Sequence, residues 1–314
     1  MSAARNTGLQ EACGDYVWFV DSDDAITENS LKGIYEEMTR HSLDVLWLKW
    51  HNMNEFHERV PLYDCTLCKE DYSVQNGLDF MCSVMGIYYF AWSFVFKRNF
   101  LNHNGFLFKE GLFYEDTEFA YHVLPLAKRI KLYHKDCYTY GIRQGSIVQT
   151  ISSKKIDDLL SIVNTAKTMD DKYPGLICFR RSASNILVTV LNQSLAIGYK
   201  KGIKQVKDIL KSFLHHDLCV VGSGPNRLLI KCYNHGGFAL MESLACGFCC
   251  IKKVRNYYRN VRLSVIRGGG KNGPIFLLIF MISFFLFSIK AQCGIVARMF
   301  IYDLPVLILK VFGI

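Results

Sequence analysis

The chain has 314 residues, half of them apolar, enough to bury the core of one large domain or two ordinary ones. Its 37 Lys and Arg exceed its 28 Asp and Glu by nine, and residues 251–314, with ten basic residues against the single acid Asp303, carry that whole excess. Residues 1–250 are therefore neutral, which excludes a basic nucleic-acid-binding face on the main body; no nucleic-acid partner is expected.

Twelve cysteines would suit a secreted disulfide protein, but the opening "MSAARNTGLQEACGD" has no apolar signal stretch, so reduced thiols are expected. Two CxxC pairs, Cys65/Cys68 and Cys246/Cys249, lie far apart, and nothing else in the sequence joins them into a four-ligand zinc site.

In chain order, residues 2–12 read as a short helix and "DYVWFV" after Gly14 as a buried strand. Three carboxylates, Asp21, Asp23 and Asp24, follow where that strand ends. Thr27 is the expected cap of a helix whose apolar face holds Leu31, Ile34, Tyr35 and Met38. "DVLWLKW" (44–50) is the next strand. After an irregular stretch, "NGLDFMCSVM" predicts a helix, "AWSFVFK" a strand, and "YEDTEFAYHVLPLA" a helix with one apolar face. "RIKLYH" and "CYTYGI" read as two strands. Residues 154–214 predict three helices, broken at Pro174 and between Gly198 and Gly202. Strands alternating with helices indicate an α/β sheet, whose ligands lie beyond the carboxyl ends of its strands.

Three acids crowded in "DSDD" repel one another unless a cation or donated hydrogen bonds offset their charge. Hard divalent cations such as Mg²⁺ or Mn²⁺ prefer oxygen ligands and bridge carboxylates to diphosphates; a solvated turn capped by Asp24 is the alternative. Glu115 and Asp116 open a helix, where backbone N–H groups favour negative charge, and Asp116 is either a cap or a general base. Tyr114, Trp92 and Tyr140 read as core or rim residues.

"SAARNTGLQEACGDYVWFVDSDD" resembles the segment of family 2 glycosyltransferases that leads into their metal-binding DxD motif, including the Ala-Arg-Asn-x-Gly-Leu run. "EGLFYEDTEF" is similar to the family's downstream Glu-Asp element and "YTYGIRQGSI", more loosely, to the segment that closes its catalytic domain. The resemblance covers residues 2–147 and implies a GT-A fold that transfers a sugar, with inversion, from a nucleotide-sugar donor to a saccharide or lipid-linked acceptor. It implies that Asp21 and Asp23 bind a divalent metal (Mn or Mg) on the donor diphosphate, supported by Asp24. Asp116 is implied as the base on the acceptor hydroxyl, with Glu115 beside it in the acceptor site. Arg5 and Asn6 match the motif near the donor, although Arg5 suits an ion-pair brace equally; Arg143 is placed near the phosphates or at the surface.

Family members carry further strands ahead of the Ala-Arg-Asn run, whereas Met1 stands three residues before Ala4. The expectation is a GT-A Rossmann-like sheet truncated at its N-terminus, with weak donor binding. A haloacid dehalogenase-type phosphatase using Asp21 is the rival enzyme, although Ala25 departs from that motif and "YEDTEF" goes unexplained; a non-catalytic membrane-attached remnant is the other rival.

From Lys252 to Lys271 there are seven basic residues and no acid, followed by eighteen uncharged residues, "NGPIFLLIFMISFFLFSI". This pattern suits the cytoplasmic side of a bacterial plasma membrane, with spanning and shallow insertion both open. The expected organisation is a partial GT-A catalytic domain over 1–150, a helical extension over 151–250, and a basic and apolar tail over 251–314 contacting an anionic membrane surface. Surface polysaccharide synthesis, such as capsule, is the expected setting.

Overall fold

The computed structural model describes residues 1–60, 70–86, 89–142, 150–213, 229–231, 233–234, 237–239, 241–246 and 249. Arg143, Cys65, Cys68 and the tail from 252 to 314 lie outside the described residues. The chain divides into two compact units, Met1–Val190 and Leu191–Ile314.

The first unit is built on a five-stranded mixed sheet of order β1-β4-β3-β5-β2. Its strands are β1 (Tyr16–Trp18), β2 (Ala25–Ile26), β3 (Val45–Met53), β4 (Phe94–Lys97) and β5 (Ile130–Gly141). β3 is central, antiparallel to β4 and parallel to β5, while β1 and β2 are antiparallel edge strands on β4 and β5. The parallel pair makes this the expected α/β fold, and three local readings change. "RIKLYH" and "CYTYGI" are one strand, β5. Ala91–Ser93 forms a single 3-10 turn, so β4 begins only at Phe94 and runs directly into the short helix Arg98–His103. The helix from Glu115 ends at Val123 because Pro125 has no N–H to continue the ladder.

The first helix, α1 (Ser2–Glu11), buries Ser2, Asn6 and Leu9, which share one face. Helix α2 (Ser30–Arg40) packs Ile34 and Met38 against Leu43, Leu46, Leu48 and Val95 on one face of the sheet. Leu31 and Tyr35, expected on that apolar face, are 62% and 56% exposed. The sheet takes the face of Ser30, Ile34 and Met38 instead, and the helix starts from Asn29, in the left-handed conformation, without a Thr27 side-chain cap.

Helix α3 (Gly77–Ser83) is capped by the Asn76 side chain, which accepts from the Asp79 N–H at 3.0 Å. Gly77 lies so close to the Leu124 carbonyl that any Cβ there would collide with backbone. The other helices of this part of the chain are α4 (Arg98–His103), α5 (Glu115–Val123), α6 (Ser153–Lys172), α7 (Ile177–Ile197) and α8 (Lys200–Phe213). The three helices expected after residue 153 thus form, with Gly175 and Gly198 at positive φ between them. α6 joins the sheet's own unit, because Asp158 accepts from the Phe113 N–H at 2.9 Å. Arg181 of α7 donates to the Cys82 and Met85 carbonyls at 2.9 and 3.1 Å in the same unit.

The curl of the sheet positions the acidic turn. Across a flat sheet β1 and β2 would stand roughly 19 Å apart, four strand spacings. The six residues joining them are folded into a turn, with the Asp24 N–H donating to the Asp21 carbonyl at 3.2 Å, and do not span that gap extended. Register shifts between Trp47 and Lys49 and between Lys49 and Trp50 bend β3 against β5. The carboxyl end of β5 thereby returns toward the end of β1: the Trp18 indole N–H donates to the Trp92 carbonyl at 2.7 Å, and the Trp18 ring lies 6.1 Å from that of Tyr138.

Candidate active site

The chain leaves β1 through the buried Phe19 and turns at Asp21 to Asp24. Tyr138 of β5 fastens this turn twice: its oxygen accepts from the Asp21 N–H at 3.2 Å, and its O–H donates to Asp24 Oδ2 at 2.6 Å. Asp24 Oδ1 accepts from the Gly141 N–H at 2.8 Å, so both Asp24 oxygens are tied to β5. Gly141 suits this approach, since a Cβ there would stand 3.1 Å from the Asp23 carbonyl. Burial raises the Asp24 pKa; the Tyr138 and Gly141 hydrogen bonds oppose that shift and the Asp21 charge adds to it.

Arg5 joins this turn to the second acidic element. Its guanidinium donates to Asp21 Oδ1 at 2.9 Å and to Glu115 Oε1 at 2.8 Å, with 11% of its side chain exposed. It also lies 5.3 Å from the Phe108 ring centroid. The neighbouring Asn6 pairs with the Phe108 backbone in both directions, donating to its carbonyl at 2.9 Å and accepting from its N–H at 2.8 Å. These two bonds set the strap that leads to α5. Phe108 then stacks on Phe119 of α5, with centroids 3.9 Å apart.

At the start of α5, Tyr114 takes a left-handed conformation, φ 63° and ψ 34°, that turns the chain into the helix. Glu115 is buried against Arg5, and the Asp116 carboxylate accepts from the Thr117 N–H at 2.8 Å. Asp116 sits in a dense protein environment while keeping intermediate solvent exposure. Burial, then the Glu115 charge, push its pKa up to about 7 against the pull of Arg5. A carboxylate titrating there can take or return a proton near neutrality.

The fold thus brings Asp21, Glu115 and Asp116 together around Arg5, while Asp23 is exposed at the turn and Asp24 is bound to β5. Tyr138, which the sequence reading did not single out, is the anchor; its only signal was its place in "YTYGI", beyond the acidic turn by more than a hundred residues. Trp92 is core, stacked between Phe90 and Tyr138 at centroid distances of 4.9 and 4.5 Å, and Tyr140 is partly exposed beside it. Among the described residues no three His, Cys, Asp or Glu side chains converge as a metal-binding group. The oxygens of the turn are nonetheless the hard donors that Mg²⁺ or Mn²⁺ takes, and Asp21 Oδ2 accepts no hydrogen bond from the described residues.

Residues 1–90 match the family described as glycosyl transferase family 2. Glycosyltransferase GlyA of Streptococcus pneumoniae serotype 4 is 27% identical over 183 residues, 54% of this chain and 25% of GlyA. The uncharacterized glycosyltransferase EpsJ of Bacillus subtilis is 24% identical over 179 residues, 56% of this chain and 52% of EpsJ. GlyG of S. pneumoniae is 27% identical over 174 residues, 49% of this chain and 57% of GlyG. The chain therefore spans between a quarter and just over half the length of these relatives. Among solved structures, S. aureus TarS 1-349, crystallised in complex with UDP-GlcNAc, superposes with a TM-score of 0.53 at 19% identity, over 79% of this chain and 71% of that one. The matched segment ends before α5, so the pairing of its turn with Glu115 and Asp116 is seen in the fold alone.

Proposed function

We propose that the protein carrying this chain transfers a glycosyl group, with inversion, from a nucleotide-sugar donor to a hydroxyl of a saccharide or lipid-linked acceptor in surface polysaccharide synthesis. The observation that carries this reading is the Arg5 bridge, which sets the Asp21 turn beside a carboxylate of raised pKa at the start of α5. The family relatives and the UDP-GlcNAc held by TarS support a nucleotide-sugar donor.

In this reading Asp116 accepts the proton of the acceptor hydroxyl as its oxygen bonds to the anomeric carbon and the bond from that carbon to the diphosphate breaks. Attack from the side opposite the leaving group inverts the centre. Asp21 and Asp23 would hold a divalent cation, Mn²⁺ or Mg²⁺, which supplies electrostatic stabilisation of the departing diphosphate. Asp24, tied to Tyr138 and Gly141, fixes the turn in place. Glu115 holds Arg5 and lines the acceptor side. The phosphatase alternative gains no support from the family match.

We place the working position at the inner face of a bacterial plasma membrane, through residues 252–314, on the charge and apolar pattern of that tail. Among the described residues no helix is long and apolar enough to cross a membrane.

The test is release of nucleoside diphosphate from a panel of nucleotide sugars, UDP-GlcNAc first, by the purified protein with Mn²⁺ or Mg²⁺ and membrane-derived acceptors. Turnover that Asp116→Asn abolishes and chelation suppresses is expected. Turnover by the Asp116→Asn protein at the wild-type rate would overturn the assignment of the base.

A further inference from the structure

Helix α8 carries five lysines, Lys200, Lys201, Lys204, Lys207 and Lys211, against one acid, Asp208. Lys200, Lys204, Lys207 and Lys211 follow one another at intervals of four, three and four. At 100° per residue they fall within about 60° of arc and run along roughly 16 Å of helix. All four are exposed, whereas Gly202, Val206 and Leu210 on the other side are buried. The apolar side of α8 is therefore already covered, and Lys207 also reaches over the Phe238 ring at 5.9 Å. This is a packed helix presenting a basic stripe, not an insertion helix waiting for lipid.

An ordinary solvated helix mixes its charges, so that lysines meet acids four residues away. Here Lys200 faces Lys204 and Lys207 faces Lys211 at that spacing, and the one acid, Asp208, four residues from Lys204 and three from Lys211, leaves the stripe strongly positive. Like charges so placed destabilise an isolated helix, a cost that an external anionic surface would offset. Residues 1–250 are neutral overall, so the stripe is not the overflow of a basic body. It contains no Arg and no aromatic residue, the side chains that recognise nucleic acid by forked hydrogen bonds and stacking. Lysines are mobile point charges that suit a fluid array of headgroup phosphates. The same chain continues into seven basic residues and eighteen uncharged ones.

We propose that the Lys200, Lys204, Lys207 and Lys211 stripe of α8 docks on the anionic headgroups of a membrane surface, a contact additional to the tail and independent of the transfer reading. Two full-length variants test it. One replaces these four lysines (Lys200→Gln, Lys204→Gln, Lys207→Gln, Lys211→Gln), and the other replaces four exposed lysines of the first unit (Lys32→Gln, Lys97→Gln, Lys128→Gln, Lys135→Gln) for the same change in net charge. Co-sedimentation is measured on vesicles of phosphatidylcholine alone and of phosphatidylcholine with phosphatidylglycerol, with circular dichroism as the check of folding.

On the mixed vesicles the α8 variant should lose roughly fivefold in partition per lysine at low salt, with a weaker salt dependence. The control variant should partition like wild type, and on neutral vesicles all three should agree. Equal partition of the α8 variant and wild type overturns the proposal and leaves the tail as the sole contact. An equal loss in both variants overturns it in favour of net charge alone. Wild-type binding to RNA without binding to the mixed vesicles also overturns it. None of these outcomes depends on glycosyl transfer.

Discussion

The turn from Asp21 to Asp24 and the start of α5 are both dense in carboxylates, but they hold their charge by different means. In the turn, Asp24 is half-buried with a donor on each oxygen, Tyr138 on one and Gly141 on the other. At the helix start, Asp116 is surrounded by protein with one backbone donor and a second carboxylate, Glu115, beside it. Both carboxyls are pushed above their ordinary values, yet one is committed to holding a loop while the other keeps a proton that it can exchange. Burial alone does not free an acid to exchange a proton; the donors already spent on it also count.

Replacing Asp116 with Asn should have the largest effect, a loss of roughly 10²–10⁴-fold in transfer rate with the fold retained. Asp24→Asn should instead show as a lowered melting temperature, because its amide cannot accept from both Tyr138 and Gly141. A turnover assay with a thermal melt on each protein separates the two outcomes, and an exchange of these phenotypes would break the comparison.

Arg5→Ala removes the link between the regions and leaves Glu115 buried without its cation. The expected loss of stability is about 3–5 kcal/mol by denaturant unfolding, with partial recovery in Arg5→Lys, which restores charge but not the fork between two carboxylates. A wild-type midpoint in Arg5→Ala would show that the two regions do not lean on each other.

The pH dependence sharpens the contrast. With its pKa at about 7 in the fold and near 3.9 when unfolded, Asp116 holds more proton in the folded state between those values. Stability therefore falls as pH rises through that window, by roughly 2–4 kcal/mol at the upper end. Transfer rate should rise over the same range, as the base loses its proton near pH 7. Urea unfolding at pH 5 and pH 8 should show the fall in wild type and lose most of it in Asp116→Asn.

The smallest expected change is that of Tyr138→Phe, which takes one donor from Asp24 and one acceptor from the Asp21 N–H. A cost of about 1.5–3 kcal/mol follows from losing a hydrogen bond to a charged group. The pH profile of transfer should remain in place, because Tyr138 is not among the groups that shift Asp116.

Much of this protein was legible before any fold was known. An apolar strand ending in "DSDD" and a helix opening on Glu115 and Asp116 are local patterns, written by burial, backbone donors and charge over a few residues. The helices after residue 153 and their glycine breaks were legible for the same reason. The exposed Leu31 and Tyr35 show where local reading fails: their spacing suits an apolar face, but the buried face of α2 is the one that packs Ile34 and Met38 on the sheet.

What the sequence by itself determined is the list of chemical groups: the acids at a strand end, the acids at a helix start, and the separation of a neutral body from a basic, apolar tail. Tertiary structure alone decided which of them share a site. Arg5 meets a carboxylate 110 residues away, and Tyr138 reaches one 114 residues back. The second contact follows from the shifts in register along β3 and β5 that curl the sheet, the first from the Asn6 and Phe108 pairing that sets the strap into α5. Curl sums small twists over whole strands, so no window of neighbouring residues encodes it.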